Sequence, residues 1–374
     1  MTDDLTTPLT GRKRPGRTGW RIPVARTLFG LLALLAIGFV ARVLLVNDPD
    51  GGRPSQEVAV TTTRNANAVA NAVANGPVTI TPDPQQFPSD SAITAITTGA
   101  GGPSSVAGLP DIFGALPDLS EETANGPIPR MSSTGLTPFV AYAHPVDDAV
   151  ASGGPLIAIV VTGLGINEQG SLEAIDNLPS SVTLAFAPYG KALSTTVAAA
   201  RTAKHEVLLE VPLEPFDYPQ NDPGPETLLT GEPARSNLDK LFWLMSRFGG
   251  YVGVINNMGA RFTASAADFA PMMEELGARG LGYLDDGSSN RSLALQLAQG
   301  NKVPFSRADL TIDTNPSRAS ILAALASLEA RALENGQAIG IVSALPISIT
   351  TVAEWARDLE SKGLLLVPAS ALMK

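Results

Sequence analysis

The 374-residue chain has no cysteine and only two histidines, His144 and His205. The first absence excludes disulfides, thiol nucleophiles, iron–sulfur clusters and Cys-based zinc sites. The second leaves almost no room for a His-rich metal centre. Aromatic residues make up 5% of the chain and charged residues 17%, both sparse for a soluble protein. The net charge of −10 repels phosphate, so nucleic acid is not an expected partner. Three motifs are also missing. Thr162-Gly163-Leu164-Gly165 follows an apolar run, but Glu168 stands where a dinucleotide fingerprint needs its third glycine. Neither G-x-x-x-x-G-K-[ST] nor G-x-S-x-G occurs.

The charge that is present is segregated. Residues 1–46 hold seven basic side chains and two acids, so the remainder carries a large negative excess. Leu28–Val46 is apolar apart from Arg42, long enough as a helix for roughly 28 Å, about one hydrocarbon core. Arg42 lies near its end, where a long side chain reaches the interface. Basic residues precede the run, and Asp48 and Asp50 follow it. The expectation is a basic cytoplasmic tail over 1–27, an uncleaved transmembrane anchor over 28–46, and everything beyond outside the cytoplasm, in the periplasm of a cell with an inner membrane. No small-residue cleavage site follows the apolar run.

Residues 47–150 contain 13 prolines, three basic residues and the repeat Asn65-Ala-Asn-Ala-Val-Ala-Asn-Ala-Val-Ala-Asn75. That composition predicts a disordered linker. A folded domain is expected over 151–374. Eight short apolar runs there read as strands: Leu156–Val161, Val182–Phe186, Glu206–Val211, Gly253–Asn256, Leu281–Leu284, Val303–Phe305, Gln337–Val342 and Leu364–Val367. Between them lie amphipathic stretches at Lys191–Ala203, Leu238–Phe248, Asp268–Arg279, Arg318–Glu334 and Thr350–Lys362. Alternation of this kind predicts an α/β fold with a parallel sheet, either barrel or doubly wound.

The text at the strand ends is distinctive. V-T-L-A-F-A-P-Y runs over Val182–Tyr189, H-E-V-L-L over His205–Leu209, P-L-E-P over Pro212–Pro215 and D-P-G-P-E-T-L-L-T over Asp222–Thr230. In these strings the chain resembles the divergent polysaccharide deacetylase family from about Pro155 to Pro368. The resemblance implies a distorted (β/α)7-type barrel and a divalent metal, such as zinc, serving deacetylation. It also implies where the metal machinery should stand, and there the sequence departs. The family's Asp-Asp pair falls on Thr162 and Gly163, one metal-binding His on Asn257, a second His position on Glu210, and the His of the last motif on Ser343. A metal-dependent hydrolysis needs a metal, a base and an acid. Thr162 and Gly163 supply no carboxylate, and Asn257 offers only an amide oxygen.

No metal or other cofactor is therefore expected, and no residue is assigned as catalytic. Glu210, Glu214, Asn256, Asn257, Arg261, Asp285 and Tyr189 are candidate ligand-binding residues, since they fall near strand ends. Asp286 and Asp313 are further surviving acids, read as helix caps, and His205 as structural. Three functions remain open at this point. The chain either binds envelope polysaccharide or a periplasmic protein with a degenerate site, or hydrolyses C–N or ester bonds through its surviving carboxylates, or serves as an envelope assembly scaffold.

Overall fold

The structure is a computed structural model that describes residues 115–146 and 153–374. The expected tail, anchor and most of the linker lie outside the described residues. Among the described residues no helix is long and apolar enough to cross a membrane.

Nine parallel-paired strands form the sheet: β3 (Leu156–Leu164), β4 (Thr183–Phe186), β5 (Val207–Leu213), β6 (Gly253–Met258), β7 (Gly282–Asp285), β8 (Phe305–Arg307), β9 (Leu310–Thr311), β10 (Gln337–Ser343) and β11 (Leu365–Leu366). Their order is β8-β7-β6-β5-β4-β3-β10-β9, with β11 beside the start of β3. β8 pairs with β7, and β9, two residues later, pairs with β10. One stretch of chain thus carries both ends of the sheet, which gives the parallel strands the form of a (β/α) barrel. All eight expected strands are present; β9, whose two residues lie between Asp309 and Asp313, is not part of an apolar run long enough to leave a sequence signal.

Helices cover the outside: α2 (Glu168–Asn177), α3 (Leu193–Thr202), α4 (Ala234–Met245), α5 (Ala266–Arg279), α6 (Ala294–Asn301), α7 (Arg318–Asn335) and α8 (Pro346–Ala356). The sequence periodicity missed α2 and α6. Each is short, with only two or three fully buried residues, so neither repeats an apolar face often enough to register. Asn167 caps α2 by accepting from the Gly170 N–H.

Alternation along each strand sorts the core into two layers. Ile157, Ile159, Val161, Leu209, Val254 and Tyr283 face the helices. Ala158, Val160, Ala185, Leu208, Ile255, Leu284, Ile339 and Ile341 fill the barrel interior. The next inward position beyond this apolar plug is polar on strand after strand: Thr162, Glu210, Asn257, Asp286 and Ser343.

Residues 115–146 correct the linker expectation. Ser120–Thr123 (β1) and Gly126–Pro129 (β2) form an antiparallel hairpin, and Pro138–Tyr142 (α1) is a short helix capped by Thr137. Leu119, Ile128 and Tyr142 are buried. The Arg279 guanidinium donates to Pro129 O at 2.6 Å and reaches Glu121 at 2.8 Å, while Phe139 N–H donates to Gly280 O at 3.1 Å. The prolines misled because they occupy places where proline costs little: Pro117 and Pro138 at first helical turns, Pro127 and Pro129 in a two-stranded ribbon. The folded unit therefore begins at least as early as Ala115.

Candidate functional site

Beyond the apolar plug, at the C-terminal ends of the strands, lies a cavity of about 420 Å³. Its wall includes Thr162 and Gly163 from β3, Glu210 from β5, Asn256 and Asn257 from β6, Asp286 after β7, Thr311 from β9 and Ser343 from β10. Strand ends in a parallel α/β fold are where sites are built, because the βα loops are free to vary there. All five positions at which the sequence departs from the family motif, 162, 163, 210, 257 and 343, line this single cavity.

Gly163 is where the local backbone decides the chemistry. The pairing of β3 with β4 slips between Val161 and Leu164, and Gly163 takes φ +80° in that irregularity. Its N–H donates to Glu210 Oε1 at 2.5 Å. The backbone thus engages Glu210 from a position whose side chain supplies nothing. Glu210 is only 5% exposed, and burial pushes its carboxyl up to about 7, against the Gly163 hydrogen bond that lowers it. Oε2 has no hydrogen-bond partner among the described residues.

Asp286 is the second carboxyl in the cavity, and the sequence reading passed over it in favour of Asp285. Alternation separates the two. Leu284 points into the barrel, so Asp286 does as well, while Asp285 falls on the helix side with Tyr283. Burial raises the Asp286 carboxyl, and hydrogen bonds from Ser288 and Asn256 oppose that shift. Asp285 instead accepts from Gly287 N–H at 2.8 Å and lies 4.0 Å from the Arg307 guanidinium. The period-two pattern of Gly282–Asp286 was the signal that could have found the right acid.

Other candidates are engaged elsewhere. The Glu214 carboxylate accepts from Thr230 N–H and Oγ1–H and pairs with Arg261 at 3.0 Å, which ties the loop after β5 to the turn after β6. Tyr189 packs under the DPGP loop, its hydroxyl 2.2 Å from the point where a Cβ on Gly224 would stand. Burial raises that phenol to about 12, with nearby Glu226, Asp222 and Glu210 adding to the rise. None of Glu214, Arg261, Tyr189 or Asp285 is in the wall of the cavity. Asn256 borders it with its amide committed, donating to Met258 O and accepting from Tyr283 Oη–H and Asp286 N–H. Asp313 holds Ser343 N–H at 2.9 Å and Ser348 Oγ–H at 2.7 Å.

The two histidines lie away from the cavity. His205 is buried at the start of β5, its ring nitrogens against Val182 O and Ile175 O. The backbone N–H of His144 donates to Glu206 at 3.3 Å, so this residue belongs to the folded unit instead of a linker. Among the described residues, no three His, Cys, Asp or Glu side chains cluster in a way that could hold a metal ion.

Comparison with known proteins agrees with this geometry. Residues 159–373 match the family model described as divergent polysaccharide deacetylase. The crystal structure of the uncharacterized protein ATU2773 from Agrobacterium tumefaciens C58 is 44% identical, with a TM-score of 0.64, covering 66% of this chain and 99% of that one. The uncharacterized protein YibQ of Escherichia coli K12 is 23% identical over 218 residues, 58% of this chain and 67% of its own length. The strand-end strings, the barrel and these matches coincide over the same residues: the chain belongs to the divergent polysaccharide deacetylase family.

Proposed function

We propose that this protein is a membrane-anchored, extracytoplasmic member of its family that binds envelope carbohydrate in the strand-end cavity without a catalytic metal. The observation that carries this reading is the donor set of the cavity. Its wall offers two carboxyls, neutral hydroxyl and amide oxygens and no imidazole. A catalytic zinc site takes three strong protein ligands, typically His with Asp or Glu. Gly163 has no side chain, and the hydroxyls of Thr162 and Ser343 and the amide of Asn257 are weak donors. These residues do not fit the family's metal. They do fit a polyhydroxylated ligand, which needs several hydrogen-bond partners of both kinds. The anchor and its orientation rest on Leu28–Val46 and its one-sided basic flank. A periplasmic protein partner, with the barrel as scaffold, would leave the polar cavity without a use.

One observation favours a second reading, hydrolysis without metal. A carboxyl held near 7 inside a cavity suits general acid–base work at neutral pH, and Glu210 is such a group. The full chain, purified in detergent, separates these readings through three measurements: metal content, acetate release from acetylated chitooligosaccharides, and oligosaccharide binding. Binding with neither stoichiometric zinc nor acetate release is expected. Acetate release abolished by Glu210→Gln, with no metal present, would establish the second reading. Stoichiometric zinc with turnover would overturn the metal-free site.

A further inference from the structure

The cavity that receives carbohydrate in the reading above has an unbalanced electrostatic character. Glu210 and Asp286 both face into it, and no Lys, Arg or His contributes to its wall. The nearby cations are already committed: Arg261 to Glu214, and Arg307 to Gly287 O, Ser289 O and Asp285. Glu210 is the decisive group. It is 95% buried, one oxygen is held by the Gly163 N–H, and the other is left facing the cavity without a protein donor. That second oxygen is open to the cavity and can accept from a ligand donor. The remaining polar wall is neutral and can both donate and accept: the hydroxyls of Thr162, Ser343 and Thr311 and the amide of Asn257. No aromatic ring lines it, so a sugar is not gripped by stacking. What this arrangement lacks is a cation with several donors.

We propose that the cavity takes the free ammonium group of an amino sugar, held by Glu210 and Asp286, in preference to an N-acetylated or neutral sugar. An ammonium brings three donors and a positive charge to a wall that holds two carboxyls and no cation. Acetylation removes the positive charge that the two carboxyls favour and leaves one N–H in place of three donors. A neutral hydroxyl supplies one donor and no charge. The selectivity comes from both the attraction and the mismatch. The family relation by itself concerns acetylated sugars, so this preference is one that the cavity of this chain assigns.

The inference rests on the carbohydrate-binding reading, and its test separates the two. The full chain in detergent is titrated calorimetrically with the tetramer of glucosamine, the tetramer of N-acetylglucosamine and cellotetraose. Charge-assisted hydrogen bonds predict about tenfold or greater preference for the glucosamine tetramer. Glu210→Gln and Asp286→Asn should each remove most of that preference, with folding verified by melting. Glu334→Gln, an equal charge change on an exposed helix residue, should leave it intact. Equal or tighter binding of the acetylated or neutral tetramer overturns the ammonium preference while the carbohydrate reading stands. Binding of none of the three overturns both. An equal loss in Glu334→Gln would trace the effect to the acidic surface and overturn the proposed site.

Discussion

Glu206, just before β5, and Glu210 within it point the same way, four residues apart, and close the two ends of the barrel interior with Leu208 between them. At the N-terminal end, Glu206 accepts from Thr183 Oγ1–H at 3.1 Å, Ser370 N–H at 3.0 Å, Ser370 Oγ–H and His144 N–H. At the other end, Glu210 meets one N–H and an open cavity. The same residue type, at the same depth, is saturated at one end of the barrel and under-satisfied at the other. The saturated one holds structure together, and the other is available to a ligand.

Glu210 should cost the protein stability at neutral pH. Its folded value, about 7, exceeds the ordinary value of 4.5. Stability from the protonated group is therefore fully present below about pH 4.5 and is lost as pH rises through 7. Glu210→Gln keeps an acceptor for Gly163 N–H and removes the ionisation. It should match the parent near pH 4 and exceed it by on the order of 3 kcal/mol at pH 8. Chemical denaturation at the two pH values checks this, and equal stability at both would mean that Glu210 is not desolvated.

Removing Glu206 should have the opposite effect. Glu206→Ala leaves four donors from three separate segments without their acceptor, for a loss of roughly 3–5 kcal/mol. Hydrogen exchange should accelerate at the amides of His144 and Ser370, which are 226 residues apart and joined through this carboxylate. Unchanged exchange at both would show that the cluster does not fasten the N-terminal segment and the C-terminal turn.

Gly224 should resist any side chain. Its φ is +147°, and a Cβ there would lie 2.2 Å from the Tyr189 hydroxyl. Gly224→Ala should destabilise by about 1–3 kcal/mol through backbone strain and displaced packing. Gly231→Ala, also at positive φ but in open space, should cost less. Equal melting temperatures for the two variants would remove the Tyr189 contact as the reason for glycine in the DPGP loop.

Rebuilding the family motif should create a metal site, because positions 162, 163, 257 and 343 share one cavity. The variant Thr162→Asp, Gly163→Asp, Asn257→His, Ser343→His should gain zinc-dependent stability of roughly 3–4 kcal/mol at 100–1,000 times Kd. Aspartate tolerates the left-handed conformation at 163 at a modest cost. Calorimetric melting with zinc and with chelator reads the gain, and a folded variant indifferent to zinc would show that the four side chains do not converge.

The anchor can be tested by topology. A periplasmic-activity reporter fused after residue 50 should work only outside the cytoplasm. Changing Arg12, Lys13, Arg14, Arg17 and Arg21 to Glu should disturb that orientation. Activity on the cytoplasmic side from the unmodified chain would refute the assignment.

The sequence by itself determined the α/β alternation, eight of the nine strands of the main sheet, the family and the five motif positions around the cavity. It did so because strand burial and strand-end strings are local properties: each run of apolar residues or loop text is readable without its neighbours. Tertiary structure decided the rest. Composition alone placed Ala115–Val146 in a linker, since only packing shows that Pro117, Pro127, Pro129 and Pro138 sit where no donor is needed. Asp286 displaced Asp285, and Glu214, Arg261 and Tyr189 proved to be loop fasteners, because which acid faces a cavity depends on register and on the cations nearby. The contrast between Glu206 and Glu210 depends on donors from residues 144, 183, 370 and 163, a set that only the folded barrel brings to those two carboxylates.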